Sequence, residues 1–285
     1  MRAAGVVRDR FAVAGLALVG LMAASAVLAP WLAPAGYEQQ DLARRLAGPG
    51  PGYLLGADGY GRDVLARLLW GARVSLIIGV AATGLTIGIG TLVGAVSGYA
   101  GGLADHLLMR VTDAVMSIPP LLLMLVIVSI YGAGTFMTPL VIGIVFWPGT
   151  ARLVRAELLR LRSLEFVEAA RGLGLSPARV LARHVFPNAL GPVLVQTSLI
   201  AAEAILLESG LSYLGLGAQP PLPSWGNMLA EGRSFLDSAW WISTFPGLAI
   251  FLTVLGMNIV GDGMRDALDP RALRPGRRPA PEARA

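Results

Sequence analysis

Few side chains in this sequence could do chemistry, and their kinds exclude most reactions. The 285 residues include two histidines, His106 and His184, and neither cysteine nor lysine. A P-loop nucleotide site needs Gly-Lys-Ser/Thr, so the chain cannot hydrolyse ATP by that route. There is no HExxH zinc motif and no thiol nucleophile, and disulfides and thiolate metal sites are excluded too. Asp58 and Asp63 lie in a turn with Gly56, Gly59 and Gly61, but the alternate-position oxygen ligands of an EF-hand calcium loop are missing. What remains is a few acids in or beside apolar runs (Asp113, Glu203, Glu208) and one polar island, EFVEAARGLGLSPARVLARHVFPN, at 165–188. Neither suits catalysis; the acids suit a path or a helix contact, and the island suits a membrane-surface linker or a docking surface.

The elements that carry these residues are built for lipid. The chain is 55% hydrophobic and 14% charged, where a soluble domain carries about a quarter charged residues. Five runs are free of charge: 11–37, 74–104, 114–151, 185–202 and 238–261. Crossing a bilayer takes roughly 20 apolar residues. The third run is long enough for two crossings and is interrupted by YGAGTFMTP at 131–139, a turn-rich stretch. The pattern predicts an all-α integral membrane protein with six transmembrane helices, at about 11–33, 74–98, 107–130, 137–156, 188–210 and 240–262. Arg2, Arg8 and Arg10 resemble the basic start of a signal peptide. The uncharged stretch after them far exceeds the about 7–15 residues of a signal core, so it reads as a retained helix.

Charge bias sets the expected orientation. With the N-terminus inside, the inner segments hold seventeen arginines and the outer segments six. Five of those six lie in the long loop before span two, where the positive-inside bias is weakest. Both ends and the polar island are therefore expected in the cytoplasm. Trp31, Trp70, Trp225, Trp240 and Trp241 fall near the outer interface, as an aromatic belt would, and Trp147 alone lies within a span. The net charge of +5 reads as topology, since no basic groove for nucleic acid is evident.

Within the island, Ser163 is placed to cap a short helix from Leu164, with Glu165 in its first turn. Gly172 and Gly174 end it. Ser176 and Pro177 begin a second helix whose Val180, Leu181, His184 and Val185 share a face, and Pro187 is expected to stop it. A surface linker whose arginines reach lipid phosphates and a docking element for a soluble partner both fit this pattern. In span two, Gly90, Gly94 and Gly98 form a ridge that permits close helix packing. After the 56–63 turn, Val64, Leu65, Leu68 and Leu69 predict a separate amphipathic helix on the outer surface. Glu203 and Glu208 lie in the outer half of span five, with Glu203 the deeper. An acid at mid-membrane costs about 2.5–3.5 kcal/mol and should face the bundle, a partner or water. Glu203 could line a path or pair with a second subunit; the plain alternative is a hydrogen bond between helices.

A family resemblance chooses between the readings of the island. Glu168-Ala169-Ala170, Gly174, and His184-Val185-Phe186-Pro187 resemble, at their full spacing, the EAA loop of ABC importer permeases. His184 stands at that family's isoleucine position. LGADGYGRDVLARLLWGARVSL (55–76), LLESGLSYLGLGAQPPLPSWGNML (206–229) and NIVGDGMRDALDPR (258–271) are similar to stretches of the dipeptide, oligopeptide and nickel permeases, second-permease type. Ala57 replaces the usual Thr, and Gly210 and Tyr213 stand where Ala and Phe are commoner.

The resemblance implies a type I ABC importer permease fold with cytoplasmic EAA coupling helices. It divides the chain into 1–73 (tail, first span and long outer loop), a permease core at 74–270 with a coupling loop at about 163–187, and a tail at 271–285 too rich in Arg, Pro and Ala to pack. Glu168, Ala169, Ala170, Gly174, His184 and Pro187 would contact an ATPase subunit. The implied partners are a homologous second permease, two ATP-binding subunits and an extracytoplasmic binding protein docking near 40–70 and 214–238. ATP and Mg would be bound by the ATPases, with no cofactor in this chain. Localisation would be the inner membrane of a bacterium or archaeon, and the solute a peptide, with nickel, glutathione or another small solute as alternatives. A self-contained secondary transporter fits less well, because no internal repeat is evident.

Overall fold

Glycine and proline decide where the apolar runs become helices. The computed structural model describes residues 10–268, which form ten α-helices and no β-strand. Arg2, Arg8 and the tail at 271–285 lie outside the described residues. Helix α1 spans Arg10–Leu32, α2 Val64–Ala100, α3 Gly102–Met116, α4 Pro120–Tyr131 and α5 Met137–Arg162. The remainder are α6 (Glu165–Gly172), α7 (Pro177–Val180), α8 (Phe186–Tyr213), α9 (Trp225–Gly232) and α10 (Trp241–Leu268). Helices α1, α2, α5, α8 and α10 are each long and apolar enough to cross a membrane.

Two predicted elements take another form. The outer amphipathic helix and span two are one continuous helix of 37 residues, α2. At 1.5 Å per residue it is about 55 Å long, well beyond a hydrocarbon core of about 30 Å. Asp63 caps it, accepting from the Leu65 N–H at 2.9 Å, and no residue between 64 and 74 interrupts the backbone ladder. Span three is not straight: α3 and α4 meet at an 89° bend. Ser117, Ile118, Pro119 and Pro120 cause it. Each proline lacks an N–H and biases the residue before it away from the helical region, and Pro119 lies at φ −54°, ψ 126°. The pair counts as a sixth crossing only as a broken one.

Packing follows small residues. Helix α2 makes its most extensive contact with α5, and the Gly90, Gly94, Gly98 ridge lies in that contact. A Cβ on Gly90 would sit 2.5 Å from the Thr150 Cβ, and one on Gly98 would sit 3.0 Å from the Leu158 Cβ. Only hydrogen fits, so the two backbones approach as the spacing predicts. Helix α1 lies on α10, where Ala12 meets Gly263 and Gly15 meets Ile259. The C-terminal ends of α2 and α5 and the start of α3 are tied by Arg155, which donates to both Asp105 carboxylate oxygens at 2.6 and 2.7 Å, and by Arg162, which donates to the Gly98 carbonyl at 2.9 Å.

Candidate functional site

The polar island folds as a bent hairpin joined to the bundle. Ser163 does not cap α6: its hydroxyl donates to the Arg160 carbonyl at 2.9 Å and closes α5, which runs to Arg162, past the predicted end at 156. Leu164 takes the N-cap position with extended backbone and no side-chain cap. Glu165 and Glu168 fall in the first turn, where the helix dipole favours acids. At the other end Gly174 lies at φ +79°. Its N–H bonds the Arg171 carbonyl at 2.9 Å and the Leu175 N–H bonds the Ala170 carbonyl at 3.3 Å. This is a Schellman ending, and it needs a residue tolerant of the left-handed region.

Helix α7 begins at Pro177, as expected, but Pro187 does not stop it. A π-helical turn at Leu181–Val185, closed by the Phe186 N–H on the Leu181 carbonyl, carries the chain into α8. Pro187 then falls in the first turn of α8, where its missing N–H has no bond to lose. The polar segment and span five are thus one continuous piece of backbone.

The segment is two-sided. Val167 and Ala170 of α6 join Val180, Val185, Ala189 and Val193 in a buried cluster with Val154, Leu158 and Leu161 of α5. Glu168, Ala169, Arg171, Gly174, Arg179 and Arg183 are exposed, as are Phe166 and Leu173, the latter 83% so. Of the residues singled out in the sequence, Glu168, Ala169 and Gly174 share this open surface and Pro187 is exposed at the far end, whereas Ala170 packs inward. His184 is half-buried, and its imidazole makes no hydrogen bond among the described residues; its carbonyl accepts from the Asn188 side chain at 2.6 Å.

The two acids of α8, both offered in the sequence as lining a path or pairing helices, have different surroundings. Glu208 is fully buried. Its carboxylate accepts from Ser75 of α2 at 3.0 Å and from Ser212 at 2.8 Å, with Ser209 at 3.4 Å. Ser75 in turn accepts from the Trp225 N–H at 3.2 Å, and Ser212 from the Ala218 N–H at 3.1 Å. Through Ser75, Glu208 therefore makes an interhelical hydrogen bond of the kind offered as the plain alternative for Glu203. Glu203 is exposed on the chain's surface, with no hydrogen bond or ion pair among the described residues. Asp113 is exposed and paired with Arg152 at 2.5 Å.

Sequence reasoning missed a buried charge cluster at the end of the bundle where α2 begins. Arg67, in the first turns of α2, donates to Asp58 at 2.7 Å and to Glu231 of α9, the second contact at 2.9 Å through Nη2. Arg62 bridges the same two acids at 2.6 and 2.7 Å. Asp58 also accepts from the Tyr60 and Arg62 N–H groups at 2.8 and 3.0 Å. Burial lifts the neighbouring Asp63 carboxyl above its ordinary value, opposed by its bonds from the Leu65 and Ala66 N–H groups. The only local signal was charge at 58, 62 and 67 beside apolar helix residues; Glu231 lies 164 residues from Arg67 and nothing nearby announces it. Trp225 and Trp241, assigned to the aromatic belt, are buried here instead, donating at 3.1 Å to the Leu68 and Ala57 carbonyls. Trp31 and Trp240 remain exposed.

The cluster carries a stability prediction. Arg67→Ala leaves Asp58, 1% exposed, without a main counter-charge, and breaking a buried pair in this way costs about 3–5 kcal/mol. Glu231 is 28% exposed, so Glu231→Gln is expected to cost less. Thermal unfolding of the purified protein measures both; equal midpoints for wild type and Arg67→Ala would refute the structural role.

A family model described as binding-protein-dependent transport system inner membrane component matches residues 90–274, and one described as the N-terminal TM domain of oligopeptide transport permease C matches 6–49. A putative peptide permease protein of Brucella ovis is 43% identical over 267 residues, covering 93% of this chain and 88% of that protein. The dipeptide transport system permease protein DppC of Alkalihalophilus pseudofirmus is 41% identical, covering 93% and 87%. The oligopeptide transport system permease protein OppC of Haemophilus influenzae is 40% identical, covering 93% and 86%. With apolar spanning helices, a two-sided polar segment continuous with α8, and matches over nearly its whole length, the chain belongs to the family of binding-protein-dependent transport system inner membrane components, the permease subunits of ABC importers, which are not themselves enzymes.

Proposed function

We propose that this permease forms half of the translocation pathway of an ATP-driven importer of di- or oligopeptides. The other half is a homologous permease; two ATPase subunits bind ATP and Mg, and an extracytoplasmic binding protein delivers the peptide to the outer loops. Both termini lie in the cytoplasm of a bacterium or archaeon. The names of the relatives support the solute, and the arginine bias supports the orientation.

One observation carries the mechanism: the buried face of α6 and α7 shares a core with α5 and α8, while Glu168, Ala169 and Leu173 are left open. Dense packing transmits displacement, and α7 runs into α8 without a loop. An ATPase dimer closing on ATP therefore pushes the 163–187 segment and rocks two spanning helices with it. The permease responds only as far as its contacts with the ATPase differ between the two states.

Leu173 supplies the test. It is the most exposed large apolar residue of the segment, and apolar groups at the centre of a contact dominate its energy. The tagged permease is expected to retain a P-loop ATPase on purification, and Leu173→Glu to lose it while the second permease stays bound. Peptide uptake by the chain alone in proteoliposomes, without ATPase or ATP, would overturn the assignment.

A further inference from the structure

One face of α8 is uncovered along most of its length. At its inner half that face walls an open cleft of about 1120 Å³ between α5, α8 and α10, whose polar lining includes Arg160, Asn188, Gln196, Asp262 and Arg265. At 3.6 residues per turn, Asn188, Gln196, Leu199, Glu203, Leu206 and Gly210 fall in a strip about 80° wide. Leu199 and Leu206 are exposed by 44% and 50%, and Glu203 between them is exposed as well. The wall of the polar cleft thus continues outward as a bare strip with a carboxylate in it.

Two polar groups on this strip lack partners. The Gln196 Oε1 atom is shielded and accepts no hydrogen bond. Glu203, about 10 Å further along the helix, has no cation or donor among the described residues. A charged group within a span is stable only facing a protein interior, a counter-ion or water, and the continuity with a polar cleft selects water. The apolar flank formed by Leu199 and Leu206 leaves that water scarce, so the carboxylate's natural ligand is a cation bearing N–H donors.

We propose that Glu203 receives the cationic group of the transported solute, on a path walled by this face of α8. The proposal rests on the peptide reading above for the identity of that group, the α-ammonium of a peptide. Arg160 and Arg265 also line the cleft, where they suit a carboxylate of a solute on the same path.

The chain has no cysteine, so single introduced thiols in the assembled importer can be read on the separated permease band without background from this chain. Leu199→Cys, Glu203→Cys and Leu206→Cys are expected to react with water-soluble methanethiosulfonates, while Ala204→Cys, at a buried position on another face, stays unreactive. In Leu199→Cys, a cationic reagent should react faster than an anionic one, and adding Glu203→Gln should remove that preference. No labelling along the strip in any nucleotide state places it against lipid or the partner permease and overturns the path. Labelling without a charge preference overturns the cation site.

Transport tests the solute. In Glu203→Gln, the half-saturating concentration for a dipeptide with a free amine should rise roughly tenfold, as for the loss of a charged hydrogen bond. Uptake of the N-acetylated dipeptide should not change, and Glu203→Asp should restore most of the difference. A merely structural role would affect both peptides equally, and that result refutes the proposal. An importer that moves no peptide at all refutes the peptide reading alone, because the charge preference of labelling still tests Glu203.

Discussion

Gly174→Val is expected to abolish uptake while leaving the permease inserted in the membrane at its normal level. A Cβ at this position meets nothing within 4 Å, so volume is not the problem. The backbone is, because φ is +79°. A left-handed conformation costs an ordinary residue about 1–2 kcal/mol, and β-branching makes it worse. Relieving the strain breaks the two bonds that end α6, from Gly174 to Arg171 and from Leu175 to Ala170, and swings α6 away from its seat on α5. The apolar runs that insert the chain are untouched. Gly174→Asn tests the cause, since asparagine tolerates this region and should retain much of the uptake. Glu168→Lys should also abolish transport, although Glu168 is exposed and its dipole contribution to α6 is only about 0.3–1 kcal/mol. Its loss would act on the surface offered to the ATPase. Wild-type uptake in both Gly174→Val and Glu168→Lys would reject the coupling assignment.

The second large effect is expected at Gly94. A Cβ there would lie 2.8 Å from the Val154 Cβ and closer still to the Ala151 carbonyl oxygen of α5. Backbone cannot yield as a side-chain tip can, so valine must pry α2 from α5 along their shared ridge. Overpacking of this kind costs about 1–3 kcal/mol even where neighbours can shift, and here the widest helix contact in the chain is lost. Gly94→Val should therefore leave little monodisperse protein after extraction in detergent. Gly88→Val is the control, on the same helix with open space around it. Equal yields and equal melting of the two variants would sink the argument.

The polar segment at 163–187 was legible in outline because its signals are local. Gly174, Ser176-Pro177 and the spacing from Glu168 to Pro187 act over a turn or two of helix. The misreadings were also local signals, displaced by the chain around them. Ser163 was a good cap for a helix after it, but α5 ran further and took its hydroxyl. Pro187 looks like a stop from either side; the π turn before it lets a new helix begin in time for the proline to do no harm. The bend at Pro119 and Pro120 was written in the sequence, yet the unbroken hydropathy of 114–130 concealed it. Where α2 begins, the Asp58, Arg62, Arg67 and Glu231 cluster joins residues from distant segments, and no window along the chain contains it.

Composition, apolar run length and motif spacing suffice for the membrane class and the family, because the bilayer and the family signatures both act along the chain. Burial does not follow from them. Glu203 and Glu208 stand five residues apart in one apolar run, and hydropathy treats them alike. Five residues turn a helix by about 140°, so the two carboxylates face different surroundings. Only the packing of α2 and the Ser224–Trp225 turn against α8 closes Glu208 in and adds the Ser75 donor to those of its own helix, Ser209 and Ser212, while Glu203 is left open.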